Sequence, residues 1–439
     1  MTGSVTQDGD HKKHFSDKEI RTVALAIIAG LVFGGVATGV AFPTLPLLDE
    51  LLGISAVMLG LILSANRFTR LPLNAPAGTI IDRVGARKPM IIGLFVQALA
   101  PFGYIIGLHT PAITLGTVPM IGDVSAPGLL FLLSRMMWGV GSAFVFLGAF
   151  ATITYVTTDQ NRGRWLGYMR GGQSVGFPSG LIVGGTLFDL AGAQVAFLVA
   201  GILALSAGII ASMVLPKVKP DTESRARLRD MPGMIRRDPR IVPIGLGNLT
   251  IRFIFGGVLL ATVARYASIH EMELSIFGAA GISGIVLAVG VISSGMTTVI
   301  SGRVSDIVSN RIFVTIPPFV LMAIGLLLLA FFPSIEILFL ATAMIGIGSG
   351  GIGPALLALV GDLSPHDEVG RMGSVYNIMG DIGSTAGPLL AVPMVDIWFG
   401  FSHSYLMYAI GVAIVGVIVT IPLIKWNIGR ADPADVADI

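Results

Sequence analysis

Apolar runs long enough to cross a bilayer recur along the whole chain, at 22–45, 55–77, 89–108, 128–156, 163–187, 194–215, 241–267, 275–300, 312–332, 335–360, 372–397 and 404–424. A hydrocarbon core of about 30 Å asks for about 20 such residues in a helix, so the pattern predicts twelve transmembrane helices and an all-α integral membrane fold. The first 21 residues are polar, and the first apolar run is longer than a signal h-region and has no clear A-x-A site after it. No cleavable signal peptide is expected.

Composition agrees with the pattern: 54% of the 439 residues are hydrophobic, 12% are charged and 57 are glycine. Glycine is commoner in membrane helices than in soluble ones. With no cysteine and six histidines, all in tails, loops or at helix ends, a disulfide framework, a thiolate metal site and a cysteine nucleophile are excluded. No nucleotide loop, metal cluster or nucleophile–base arrangement is visible, so an enzyme, a cofactor and a nucleic-acid partner are not expected.

The net charge of +2 conceals a strong asymmetry, since 22 Lys and Arg fall in the tails and in the loops on the side of the termini, and none in the opposite loops. By the positive-inside rule both termini are cytoplasmic, and a plasma (inner) membrane location is expected. Eight of these cations, from Lys217 to Arg240, lie in one long segment that bisects the chain. The expected organisation is a cytoplasmic tail at 1–21, a six-helix bundle at 22–215, a basic cytoplasmic linker at 216–240, a second bundle at 241–424 and a cytoplasmic tail at 425–439. The linker reads as an orienting charge cluster or as a contact for anionic lipid or a regulator.

The two halves repeat. Gly139-Val140-Gly141-Ser142 matches Gly346-Ile347-Gly348-Ser349 at an offset of 207, which also pairs Arg164 with Arg371, Gly176 with Gly383 and Gly180 with Gly387. Around helices 2 and 8 the offset is 224, pairing Gly78 with Gly302, Asp82 with Asp306 and Arg87 with Arg311, and the longer loop at 109–127 accounts for the difference. A repeat of this kind is expected to place a substrate site near the midplane between two halves.

The segment from Gly78 to Lys88, between helices 2 and 3, contains Gly78, Asp82, Arg83, Gly85 and Arg87 in the pattern GxxxDRxGxRK. Gly78 permits a close helix approach, Gly85 a tight turn, and Asp82 can cap a helix or meet an arginine. This loop, with its degenerate copy at Gly302 and Asp306, resembles the signature loop of the major facilitator superfamily. The resemblance implies two pseudo-symmetric six-helix bundles, and that Asp82 with Arg83 latches the halves near Arg371 in one conformation.

Further motifs narrow the resemblance. Arg135, Gly139 and Gly141 in helix 4 are similar to the family's RxxxGxG, whose arginine is linked to proton transfer. A structural pairing is the other reading of Arg135. Gly167, Gly176, Gly180, Gly184 and Gly185 in helix 5 resemble the antiporter motif of the twelve-helix drug:proton antiporters, with Leu181 where that motif has proline and a proline at Pro178 instead. Helix 11 keeps Gly383, Gly387 and Pro388. Such glycines make a smooth face on which a neighbour can rock. The Pro43–Pro46 pair closing helix 1, and Asn66, Arg70, Asn74 and Pro76, resemble the same group.

Within the spans six arginines, Arg67, Arg70, Arg135, Arg170, Arg252 and Arg265, face one acid well inside, Asp381. Arg265 is near enough to the outer surface to snorkel. Charge in a bilayer must be paired or in water, so these residues should line a cavity between the halves. Burial favours a neutral acid and an arginine favours the charged one, so Asp381 is the candidate proton carrier, with Arg67 or Arg70 as partner; a permanent Asp–Arg pair is the alternative. Asn66, Gln173, Asn248, Tyr376 and Asn377 could meet substrate or join helices. Phe33, Phe42, Phe68, Trp138, Phe144, Phe177, Phe253 and Phe255 could supply an apolar wall or face lipid.

The expected function is therefore secondary active transport by alternating access: proton-coupled export of an organic, amphiphilic or drug-like small molecule by a monomer in the lipid bilayer, with protons as the coupling ion. Two alternatives stay open. Helix 1 lacks a carboxylate, and cavity arginines would suit an anionic substrate or a lipid headgroup; a non-transporting sensor of the same fold is the other.

Overall fold

The computed structural model describes residues 15–158, 160–217, 239–308, 310–363 and 369–425, without the side chains of 369–371. The chain forms α1 (Asp17–Thr44), α2 (Ala56–Val84), α3 (Arg87–Leu108), α4 (Ala126–Val156) and α5 (Arg162–Val214), then α6 (Ile241–Phe253) and α7 (Leu260–Ile269). It continues with α8 (Ala279–Ile307), α9 (Ile316–Phe331), α10 (Ile335–Leu363), α11 (Val369–Pro393) and α12 (Gly400–Lys425). Among the described residues ten helical stretches are long and apolar enough to cross a membrane. One of them joins α6 and α7 through a π turn, Ile254–Leu259. The 53-residue α5 is broken at Gly192, whose φ of 85° no β-carbon favours; at 1.5 Å per residue its ~80 Å makes two crossings. Adding α2, whose polar residues dilute its hydropathy, gives the twelve expected.

Side-chain caps start several helices where the sequence leaves the apolar runs. Ser16 and Glu19 form a capping box on α1, and Ser55 and Ser125 accept from the backbone amides of Met58 and Gly128 at the starts of α2 and α4. The loop at 109–127 is more ordered than expected: Thr114–Val118 and Gly122–Ser125 pair as an antiparallel hairpin, held to α2 by the Ser55 hydroxyl, which donates to the Ile121 carbonyl at 2.7 Å.

The internal repeat is visible in the packing. A β-carbon on Gly139 would press on the Asn66 carbonyl, and one on Gly346 on the Gly290 carbonyl, the same contact under the two sequence offsets. Likewise Gly176 and Gly180 abut the backbone of Val32 and Val36 on α1, while Gly383 and Gly387 abut Leu249 and Phe253 on α6. The helix 5 glycines thus serve close packing inside one bundle rather than a surface between bundles. Gly185, against Ala280 of α8, is the member that crosses to the other half. Gly167, expected in the same face, is exposed with open space around it.

This contrast makes a prediction. A β-carbon at Gly180 would lie 2.6 Å from the Val36 α-carbon, so Gly180→Val should lower stability by about 1–3 kcal/mol or more, because backbone cannot yield like a side-chain tip. Gly167→Ala should instead gain up to about 1 kcal/mol of helix propensity. Thermal unfolding in detergent compares the two.

The signature segment is not the loop the sequence suggested. Gly78, Asp82 and Arg83 are in the last two turns of α2, and the turn itself is confined to Gly85 and Ala86, with Gly85 at φ 81°. The copy at Gly302 and Asp306 is likewise helical, within α8. Hydropathy falls in these segments because the helices extend beyond the apolar run, not because they end.

Candidate functional site: a charged cavity between the halves

Call the face where α1 begins and α12 ends the near face, and the opposite one the far face. Toward the far face the halves touch through backbone: Gly185 meets Ala280, Gly284 meets Leu181, and Gly60 on α2 meets Pro388 on α11. Toward the near face α5 and α8 part, since Gly163, Gly167, Gly171, Gly295 and Gly302 have nothing within 4 Å of a β-carbon. Between the halves lies a cavity of about 830 Å³, sealed at the far end and open at the near one. Its volume is in the range of cavities that hold drug-sized ligands.

All nine residues expected at a substrate cavity, Asn66, Arg67, Arg70, Arg170, Gln173, Asn248, Arg252, Tyr376 and Asn377, line it, together with Asp381. The α2 arginines, eleven and fourteen residues after its far-face start, come level with Asp381 on the antiparallel α11. Arg70 Nη2 is 3.5 Å from Asp381 Oδ1, each side chain about one third exposed to the cavity. The pair joins one half to the other. Arg67 also bridges, donating to the Gly256 carbonyl at 3.2 Å in the π turn between α6 and α7; π turns often mark functional sites because they redirect backbone carbonyls. Its charge acts on Arg70, Arg252 and Asp381.

Some polar groups are already engaged. Asn248 Nδ2 donates to the Tyr376 carbonyl at 2.8 Å, and the Tyr376 hydroxyl to the Gly353 carbonyl at 3.1 Å, so these two hold α6, α10 and α11 together as well as facing the cavity. Asn66 Oδ1 is buried without a hydrogen-bond partner among the described residues, an acceptor left unsatisfied in this conformation. Of the expected aromatics Phe42, Trp138, Phe177 and Phe255 line the cavity, whereas Phe33, Phe68, Phe144 and Phe253 do not. Gln97, Ser142, Ser294, Ser349 and Ser384 line it too and were not anticipated; short hydroxyl side chains in an apolar helix carry no signal of which face they occupy.

Arg135 is elsewhere. It is 1% exposed, absent from the cavity wall, and its Nε and Nη2 point at the Ile62 and Leu63 carbonyls of α2 at 3.4 Å. The guanidinium also stacks over Phe42 at 5.1 Å. In this conformation these contacts fasten α4 to α2 and α1, the structural pairing that was the other reading of the residue. Arg135→Met, of similar length, should lower the unfolding temperature by several degrees while leaving a pH-dependent substrate affinity unchanged, which ligand titration at two pH values checks.

Near the mouth Arg87 Nη2 donates to the Ser212 carbonyl at 3.0 Å, pinning α3 to the end of α5. Its counterpart Arg311 pairs with Asp362 at 3.1 Å and Asp306 at 3.6 Å. Asp82 is half-buried and Arg83 exposed at the end of α2; the Arg371 side chain, their expected partner, lies outside the described residues. So does most of the basic linker.

At the far face Arg265, expected to snorkel to the surface, is instead 14% exposed and held between two carboxylates. Its Nη1 meets Asp49, which follows α1, and its Nε donates to Asp396 Oδ1 at 3.0 Å, in the π turn Met394–Trp398 after α11. Asp189 of α5 accepts from the backbone amides of Gly278 and Gly281 at 2.8 and 2.6 Å, capping α8 of the opposite half. None of Asp49, Asp189 and Asp396 is singled out by sequence analysis, because their separation along the chain hides their contacts.

Twelve crossings in two repeated bundles around one central cavity, sealed at one face, define a membrane transporter rather than an enzyme. Residues 25–297 and 272–434 match the Major Facilitator Superfamily, and the chain belongs to that family. It is 24% identical over 407 residues to Multidrug resistance protein 1 of Bacillus subtilis (strain 168), covering 90% of this chain and 96% of that protein. It is 22% identical over 391 residues to the Quinolone resistance protein NorA of Staphylococcus aureus, covering 89% and 93%. The fold is similar to the inward-facing, unoccupied crystal structure of a bacterial homologue of the human lysosomal transporter Spinster, with a TM-score of 0.75, 15% identity, and coverage of 95% of this chain and 100% of that one.

Proposed function

We propose that the protein is a proton-coupled exporter of amphiphilic organic solutes, acting as a monomer by alternating access. The observation that carries this reading is the Arg70–Asp381 pair, one member from each half, inside a cavity open at a single face. The basic loops on the near face make that face cytoplasmic, so the conformation described is the inward-open one, and the protein sits in the bacterial inner membrane with the bundles at 22–215 and 241–424. The names of its drug-resistance relatives support export.

The pair supplies a coupling device. With the near face open, Arg70 stabilises the ionised Asp381 carboxylate, which gives its proton to the cytoplasm. When the halves rock to open the far face the pair separates, and an unpartnered carboxylate in a low-dielectric cavity takes a proton from outside. Solute enters in the first state and leaves in the second, so proton and solute move in opposite directions. At the mouth Asp82 and Arg83, beside Gly78 and Gly85, hold the near face shut in the second state. The apolar wall formed by Phe42, Trp138, Phe177 and Phe255 receives the hydrophobic part of the solute.

One observation favours a second reading. Arg67, Arg70, Arg170 and Arg252 line the cavity against a single acid, Asp381, an electropositive lining that suits an organic anion or an anionic lipid headgroup. The two readings differ in the sign of linkage: an anion competes with Asp381 for Arg70 and so promotes its protonation, whereas a solute that takes the place of the proton is favoured by alkali. Thermal stabilisation by tetraphenylphosphonium, an alkyl sulfonate and a neutral detergent-like amphiphile at two pH values separates them. Stabilisation by the cation or the neutral compound that grows with pH supports antiport; stabilisation by the sulfonate alone, growing as pH falls, contradicts it.

A further inference from the structure

The far-face cluster around Arg265 has more acid than base. Two carboxylates, each 8% exposed, share one guanidinium, and the second oxygen of Asp396 is fully buried with no hydrogen-bond partner among the described residues. The charges acting on Asp396 are Arg265, Asp49 and Glu50, and those on Asp49 are Arg265 and Glu50. His270, just past the end of α7, packs on Tyr266 and Phe401. Glu50 therefore adds to the surplus, and no second cation among these groups offsets it.

We infer that Asp49 and Asp396 form a second proton site, loaded from the far face, and that the far gate closes over Arg265 with one proton shared between the two carboxylates. With the gate open both acids stand in external water and both are ionised. Closing it removes them from water, and Arg265 can neutralise only one; the other binds a proton taken from the external solution and returns it when the gate reopens. The site is thus separate from Asp381 in place and in role. It carries no proton across the membrane; it makes the outward-to-inward step, the step in which a proton-driven exporter brings its proton in, easier when the outside is acid.

The electrostatics of the closed gate agree. Burial pushes the Asp49 carboxyl up from its ordinary value, and Glu50 pushes the same way, although Arg265 and neighbouring amides pull it down. The sign follows. The closed gate holds its proton more tightly than the open one, so closure is fully favoured below the ordinary aspartate range near about 4 and is lost as pH rises through the raised value. Asp189 provides an internal comparison, because it latches the same face onto neutral backbone amides and is not paired with Arg265.

The chain has no cysteine, so Ile106→Cys and Phe331→Cys, both exposed and near the far-face ends of α3 and α9, introduce a clean pair for spin labels. Distances across the far face are measured in lipid nanodiscs over a pH series, without substrate or gradient. Asp381 answers pH in the opposite sense, being protonated with the far face open, so the series is run in Asp381→Asn, where the ratio of closed to open populations should fall with rising pH by up to tenfold per pH unit for one proton. Added to that variant, Asp49→Asn and Asp396→Asn, which keep a hydrogen bond to Arg265 but remove the surplus charge, should each stay closed with no pH response, and Asp189→Asn should shift the ratio towards open while keeping the response. Two populations whose ratio ignores pH in Asp381→Asn, or a response there that survives both added Asn variants, overturn the second site and leave the Asp381 account standing. A single distance in every variant overturns alternating access itself.

Discussion

Asp381→Asn is expected to abolish accumulation of solute against its gradient, reducing pH-driven transport in reconstituted vesicles to the level of empty ones, while binding and downhill exchange persist. An amide keeps the size of the carboxylate and an oxygen facing Arg70, but it cannot exchange a proton, so the halves can still alternate without coupling. A loss of binding of the same size as the loss of transport would instead make Asp381 a structural partner of Arg70, the alternative that the pair's geometry alone leaves equally satisfied. The variant is therefore read by two assays: equilibrium binding and proton-driven flux.

The second large effect is expected at Asp82. Asp82→Asn should slow turnover roughly ten- to hundredfold, the loss of one charge-assisted hydrogen bond worth about 1.5–3 kcal/mol in the conformation that closes the near face. Affinity and substrate profile should be unchanged, because Asp82 lies at the end of α2 beyond the cavity wall. Turnover measured against a panel of solutes checks this. A changed ranking of substrates would place Asp82 in recognition rather than in the latch.

Much of this molecule was legible because a bilayer makes a chain announce itself. Helices that must satisfy their own backbone and bury apolar faces in lipid leave runs that can be read directly, and the repeat of Gly139 and Gly346 is a packing contact made twice. The cavity was legible for the same reason: polar side chains such as Arg67, Asn66 and Gln173 have few tolerable places in a membrane, and the space between the halves is the place they take. That rule fails for Arg135. An arginine can also be satisfied by backbone carbonyls and an aromatic face, and sequence shows neither. It fails again at the helix ends, where Asp49, Arg265 and Asp396 come from segments far apart in the chain. The signature segment was misread as loop because falling hydropathy marks the edge of the membrane rather than the end of α2.

The measurement that tests the account most directly is proton release recorded with substrate flux in one preparation. Vesicles carrying the native protein, with an acid interior standing for the outside of the cell and a pH-sensitive dye within, receive solute on the near-face side. The account predicts that solute accumulates inside as protons leave, and that Asp381→Asn abolishes both the accumulation and the substrate-dependent proton release. Undiminished uphill accumulation in Asp381→Asn, or protons that move in the same direction as the solute, would contradict it.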